Sequence, residues 1–390
     1  MTGPGEWGHG AEEPYTGPPP MRRPDPGQWP TVPWPGGFGQ PPPWQPVPAG
    51  PPYWGPPHWG PPPNAPLPPA RIRWAPPPGT PPHDVPRPFV LAMRARDWAW
   101  WRPLLGLVLL GVVYVVAATV VVLLTLVTGI APNLDLLDLV DPVVLLVTNL
   151  TLIVAIPTVW LAWSVAHGMR PGWSSSVLAR LRWRLVPRFV VVALATLGTG
   201  IGLSVLLEFL LGDEKAGGPV PDFGWLLVVV LLTTPLQSAA EEYLFRGYLS
   251  QAIAGWVRAP RAGAVVAALV TAALFSAAHA PPDFLTFLDR FLFGLAASTV
   301  VWLTGGLEAS IVLHAVNNVL VFVLAGALGG GVVTEEAPQG GGELFVLLSA
   351  LAMGSYVALV AQSRRRLQPE RLTPARDLRG SGPLVPTPAR

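Results

Sequence analysis

Cysteine is absent from the 390 residues. That absence excludes disulfides, a thiol nucleophile and thiolate metal ligands together. Charge is scarce as well: 12% of residues are Asp, Glu, Lys or Arg, and the net charge is +2. A chain so close to neutral has no general electrostatic case for nucleic-acid binding. Lysine is nearly missing, with Lys215 standing alone, so arginine supplies almost all positive charge. What fills the chain is apolar. Hydrophobic residues make up 51% and mean hydropathy is +0.44. That composition belongs to a protein whose solvent is largely lipid.

Helix-forming sequence is missing from residues 1 to about 90. Proline and glycine dominate there, interleaved with Trp7, Trp29, Trp34, Trp44, Trp54, Trp59 and Trp74. Proline has no backbone N–H, which rules out helix and central strand and leaves polyproline II and turns. A basic start followed by a continuous apolar core is lacking, so the stretch does not read as a signal peptide. Residues 1–90 are expected to form a disordered, semi-extended cytosolic tail. The functional alternative is a docking segment for a partner with aromatic-lined grooves, or for self-association. Residues 367–390 are expected to form a second disordered tail.

Between the tails, long apolar runs alternate with short breaks. About 20 apolar residues cross the ~30 Å hydrocarbon core as a helix. Eight stretches qualify, near 103–129, 143–166, 186–211, 223–246, 261–279, 285–304, 307–328 and 343–362. The fold class is therefore all-α: a polytopic membrane bundle of about eight transmembrane helices over residues 91–366. Arginine flanks set its orientation. Arg94, Arg96 and Arg102 precede the first span, and Arg170, Arg180, Arg182, Arg184 and Arg188 lie between the second and third. Arg258 and Arg261 lie between the fourth and fifth, and Arg364, Arg365 and Arg366 follow the eighth. With eight spans all four clusters share one side. The expectation is a multi-pass cell-membrane protein with both termini in the cytosol.

Ionisable groups at membrane depth are costly and mark function by default. The fourth span ends in Glu241-Glu242-Tyr243-Leu244-Phe245-Arg246-Gly247. Glu242 and Arg246 are four apart, share a helix face and can pair. Glu241, rotated by ~100° from its neighbour, is left without that partner. A carboxylate so placed suits a general base or acid working on water. Glu241 lies 19 residues before Pro260, and His279 lies 19 after it. On two regular antiparallel helices they would sit at similar depth. Phe275, one turn before His279, can wall its ring. His314 and Asn318 share a face in an otherwise apolar span, where polar side chains need partners or water. Both can donate hydrogen bonds to a developing oxyanion. These are the parts for hydrolysing an amide without a serine or cysteine nucleophile.

The three fragments resemble the EExxxR, FxxxH and HxxxN motifs of the CPBP family, which comprises CAAX proteases and bacteriocin-processing enzymes and is also called the Abi family. The resemblance covers roughly 190–328. Phe293-Gly294 and Thr304-Gly305 also resemble the family's spacing between the second and third motifs; Ala297-Ser298 departs from it, where many members carry a small glycine step. The resemblance implies an intramembrane glutamic endopeptidase, with Glu241 and His279 activating water and His314 and Asn318 forming the oxyanion site. Glu242 and Arg246 would support that geometry. It implies no cofactor, membrane lipid as surroundings, and a peptide or protein substrate that is membrane-associated or C-a-a-X-like, with or without a lipid modification. Older descriptions of the family as metalloproteases leave an alternative, a zinc site of Glu241, His279 and His314 with an open position.

Other readings remain. Intramembrane Glu, Arg and His also mark ion pathways, so a non-catalytic scaffold or bacteriocin-immunity-type protein is the competing class. His-Glu-x-x-His is absent, which disfavours a zincin. Ser276 lacks a Gly-x-Ser-x-Gly setting. Asp213 falls in a loop with no second intramembrane aspartate to pair with. Asp289 and Arg290 read as interfacial.

Overall fold

The structure is a computed structural model that describes residues 76, 78–130, 138–211, 217–329 and 342–378. Most of the expected N-terminal tail, residues 131–137, 212–216 and 330–341, and the last residues of the C-terminal tail lie outside the described residues. Among the described residues ten α-helices follow one another: α1 (Arg102–Thr128), α2 (Pro142–Ile153), α3 (Ala155–His167), α4 (Val186–Leu211) and α5 (Phe223–Leu244) come first. Then come α6 (Ser250–Val257), α7 (Pro260–Ala278), α8 (Phe284–Thr304), α9 (Glu308–Leu328) and α10 (Gly342–Leu367). The pair α2–α3 forms one apolar stretch, and so does α5–α6, giving, among the described residues, 8 helical stretches long and apolar enough to cross a membrane. The bundle is all-α and multi-pass, as the apolar runs predict. Among the described residues no β-strand is present, only two isolated bridges.

The helix ends follow local chemistry. Asp141 caps α2 by accepting from the backbone N–H of Val143 at 2.8 Å and Val144 at 2.9 Å, which satisfies two orphan donors. Gly129, Gly168, Gly305 and Gly329 close their helices at positive φ, a backbone state glycine adopts without steric cost. Ala280-Pro281-Pro282 stops α7, because neither proline can extend the hydrogen-bond ladder. That stop leaves His279 at the helix end.

The fourth stretch departs from expectation. It ends not near 246 but at Val257, and spans 35 residues, about 52 Å at ~1.5 Å per residue. A π-helical turn, Phe245–Leu249, joins α5 to α6. Such turns are rare and recur at functional sites. The Gly247 carbonyl within it accepts from Trp163 Nε1 at 3.2 Å and Gln251 Nε2 at 3.3 Å. The extension is not lipid-facing throughout. Met93 N–H donates to Gln251 Oε1 at 3.0 Å, so α6 packs on the segment before α1.

Both tail boundaries also move. Phe89, Leu91, Ala92 and Met93 are buried, and His83 bonds through Nε2 to the Ala92 carbonyl at 2.7 Å. Burial holds the His83 imidazole below its ordinary pKa, although that backbone bond opposes the shift. Beyond α10 the chain returns to this segment. Thr373 N–H donates to the Arg87 carbonyl at 2.8 Å, and Arg376 N–H to the His83 carbonyl at 2.9 Å. Outside the 3₁₀ turn Phe89–Leu91, the two flanks satisfy some of their backbone groups on each other. Disorder expected through residue 90 and from residue 367 onward therefore does not hold for the described parts of these flanks.

The core lies where α4, α8, α9 and α10 meet the end of α7. Outward residues such as Val108, Val112, Leu123, Leu231 and Leu232 are apolar and exposed, which suits a lipid surround rather than water. In lipid, close helix packing depends on small residues. A Cβ on Gly294 of α8 would lie 2.7 Å from Ala272 Cα and 2.8 Å from its Cβ on α7. Gly294→Val is therefore expected to push α7 and α8 apart, costing about 1–3 kcal/mol. Thermal unfolding in detergent measures it, and an unchanged midpoint would show that the contact does not hold the two helices.

A second anchor fixes the start of α9. The buried Arg182 guanidinium binds Glu308 through Nε–Oε1 at 2.9 Å and Nη2–Oε2 at 2.7 Å. It also donates to the Thr304 carbonyl at 3.1 Å and the Glu370 carbonyl at 2.7 Å. One side chain thus ties the loop before α4, the α8–α9 turn and the C-terminal flank together. Helix α9 carries His314 and Asn318 from this anchor.

Candidate active site

Helix α5 brings Glu241 and Glu242 to different neighbours, as a ~100° rotation per residue requires. Glu242 is fully buried and accepts from Arg246 Nη1 at 2.8 Å, the i,i+4 pair read from the sequence. Arg246 Nη2 donates onward to the Gly294 carbonyl at 3.0 Å. Its guanidinium carbon stands 4.9 Å from the centre of the Phe275 ring. Neither charge is stranded, because each has an opposite charge or a polar acceptor beside it.

His314 meets the same pair. Its Nδ1 lies 3.1 Å from Glu242 Oε1. An ionised carboxylate only accepts, so Nδ1 carries the proton and Nε2 turns to the other side of the ring. There Nε2 lies 3.8 Å from Glu241 Oε2. Glu242 is thus a positioning group for His314 as well as the partner of Arg246.

His279 arrives from the end of α7. Its Nδ1 lies 2.7 Å from the Phe275 carbonyl, which fixes the proton on Nδ1 by the same reasoning. Its Nε2 lies 3.7 Å from Glu241 Oε2. The side chain is 34% exposed, so it forms the open edge of the site. Arg290 Nη1 donates to the His279 carbonyl at 3.1 Å and caps the helix end. The interfacial reading of Arg290 thus gains a specific task. Phe275 fills the space between these groups, with its ring 4.6 Å from that of His279 and 5.6 Å from that of His314. Phe293, stacked 5.7 Å from Phe275, packs beside it against His314 at 5.1 Å.

Glu241 is the meeting point. Its Oε1 accepts from Gln237 Nε2. Its Oε2 is buried, has no hydrogen-bond partner, and faces both imidazole Nε2 atoms. A buried acceptor left open beside two ring nitrogens is costly unless a donor enters. Water supplies such a donor. Asn318 does not touch Glu241. Its Nδ2 donates to Gln237 Oε1 at 3.3 Å, and its Oδ1 accepts from Asn317 Nδ2 at 3.3 Å.

The structure therefore brings Glu241, His279 and His314 together directly, and Asn318 through an intermediary. Sequence reasoning missed that intermediary, Gln237. A polar residue one turn before Glu241 on the same face was the available signal.

A zinc site would need these donors drawn closer together. Tetrahedral ligands at ~2.1 Å from zinc stand about 3.4 Å apart. Both nitrogens lie farther than that from Glu241 Oε2. Among the described residues, no three His, Cys, Asp or Glu side chains assemble at metal-binding spacing.

Residues 223–320 match the family model described as type II CAAX prenyl endopeptidase Rce1-like. The uncharacterized protein YyaK of Bacillus subtilis (strain 168) is 27% identical over 238 residues, covering 57% of this chain and 76% of its own. No solved structure matches. The matched span contains Glu241, Glu242, Arg246, Phe275, His279, His314 and Asn318, so the stretch that builds the site is the stretch that resembles the Rce1-like type II CAAX prenyl endopeptidases.

Proposed function

We propose that the protein is an intramembrane glutamic endopeptidase that cuts a membrane-associated or C-a-a-X-like peptide by activated water. The family match supports an intramembrane protease at the coarse level. One observation carries the finer reading: the open Oε2 of Glu241 faces Nε2 of His279 and of His314. Water held between Glu241 Oε2 and His279 Nε2 donates a proton to the carboxylate, and its oxygen attacks the peptide carbonyl carbon. The oxyanion is met by the second N–H of Asn318 and by His314. His314 can donate from Nε2 only as the imidazolium, which Glu241 and Glu242 flank. Glu241 then returns its proton to the leaving nitrogen as the C–N bond breaks. Oxygen, nitrogen and protons balance with water as the only co-reactant.

The positive flanks support an orientation with both termini and the α6–α7 turn in the cytosol. The long α5–α6 stretch accounts for the depth of the site under that orientation: α6 would carry the turn beyond the hydrocarbon and keep Glu241 closer to the cytosolic face.

Proteomic comparison of cells carrying the wild type and Glu241→Ala tests the reading. Membrane peptides that stop being cut are the expected result. Full biological effect with no change in cleavage would favour the scaffold or immunity-type alternative. Metal independence is tested separately. A membrane-permeant zinc chelator is expected to leave cleavage unchanged, and loss restored by added zinc would replace the water-only scheme with the zinc reading.

A further inference from the structure

Gln237 is buried on α5, one turn before Glu241. A glutamine amide inside an apolar span needs specific partners. It has them, and they are two members of the proposed machinery. Its Nε2 donates to Glu241 Oε1, while its Oε1 accepts from Asn318 Nδ2 at 3.3 Å and from Ser238 Oγ at 3.3 Å. The next polar contact along α5 uses other side chains, with Asn149 Nδ2 bonding Thr233 Oγ1 at 2.7 Å and Thr234 Oγ1 at 3.2 Å. Gln237 is therefore not part of the polar junction between α2 and α5.

The direction of this chain of bonds is set at one end. A carboxylate is acceptor-only, so Gln237 must turn its NH₂ towards Glu241. Its carbonyl oxygen must then face Asn318, and Asn318 must present its NH₂. Asn317 holds the Asn318 oxygen on the far side. One N–H of Asn318 is used by Gln237, and the second remains for a ligand.

We infer that Gln237 is a positioning residue for peptide hydrolysis. It pins Glu241 by Oε1 so that Oε2 stays free beside the two imidazoles, and it orients Asn318 with its N–H towards the oxyanion. This rests on the proteolytic reading, since it assigns work only through Glu241 and Asn318.

The test uses the full chain in proteoliposomes with a quenched-fluorescent farnesylated C-a-a-X peptide. Gln237→Met keeps the volume and removes both bonds. It is expected to lower kcat about 10–100-fold, leave KM within about twofold, and move the acidic limb of the pH–rate profile to higher pH. Gln237→Glu is nearly isosteric. When protonated, its carboxyl donates to Glu241 and accepts from Asn318 as the amide does. Activity should survive at acidic pH and fall as pH rises, when two adjacent carboxylates repel. A purely structural role would lower the yield of folded protein without moving either limb.

Wild-type kcat and pH profile in Gln237→Met, or a wild-type pH profile in Gln237→Glu, overturns the inference. Should the Met variant not fold, the Glu variant decides. Glu241→Gln is run beside them. If it cuts the peptide at the wild-type rate, the proteolytic reading itself falls; if it is inactive while both Gln237 variants behave as wild type, only the positioning role falls. A substrate-free measurement closes the remaining gap. Dicyclohexylcarbodiimide reacts with a protonated carboxyl, and its labelling of Glu241 should extend to higher pH in Gln237→Met. Unchanged pH dependence of labelling would also overturn the role.

Discussion

Glu241→Gln is expected to lower the rate of peptide cleavage by about 10²–10⁴-fold, the range lost with a general acid–base group. The substitution keeps the size of the side chain and an oxygen able to accept from Gln237. What it removes is the oxygen that takes a proton from water and returns it to the leaving nitrogen. Because Glu241 Oε2 makes no hydrogen bond within the fold, its loss should hardly change stability. Cleavage in proteoliposomes and the unfolding midpoint in detergent are read on the same preparation. A folded variant that keeps a tenth or more of the wild-type rate would remove Glu241 from the chemistry.

Glu242→Ala, one residue along, is expected to act in a different way. Glu242 and Arg246 are both fully buried, and removing one partner leaves the other charge uncompensated. Breaking such a pair costs about 3–5 kcal/mol. The Nδ1 of His314 loses its acceptor at the same time, so the fraction that still folds should also cleave slowly. Changing both residues, Glu242→Met with Arg246→Met, removes both charges and should recover much of the stability. It should not recover cleavage, because His314 stays unanchored. A double-mutant cycle completed with Glu242→Met and Arg246→Met as single variants isolates the pair. A single Glu242→Ala protein as stable as the wild type would show that Arg246 finds another partner and that the pair does not hold α5 in place. Adjacent glutamates with opposite phenotypes, one catalytic and one structural, would be hard to reconcile with a scaffold whose acids are merely solvated.

Much of this geometry was readable from spacing. Glu242 and Arg246 pair because four residues make about one helical turn, a local property. Equal spacing of Glu241 and His279 about Pro260 pointed to a shared depth, and the two side chains stand 3.7 Å apart. The route there is not two regular helices, since a π-helical turn lies between Glu241 and Pro260. Nothing in the apolar periodicity marks that turn. The pairing of Arg182 with Glu308, 126 residues apart, was equally hidden, as was the contact of Arg87 with Thr373 across 286 residues. Gln237 went unread because one amide in a span has many bland explanations until its two partners are known.

By itself the sequence determined how many helices are apolar enough to span, where prolines and glycines end them, and which charges share a helix face. These depend on residues within a turn or two of each other, and on lipid admitting little backbone beyond helices. Only the tertiary structure decided which oxygen of Glu241 stays open, which nitrogen of each histidine is anchored and which turns to Glu241, and which amide joins Glu241 to Asn318. Those choices are made by hydrogen-bond partners on other helices, and spacing along one helix does not reveal what packs against it.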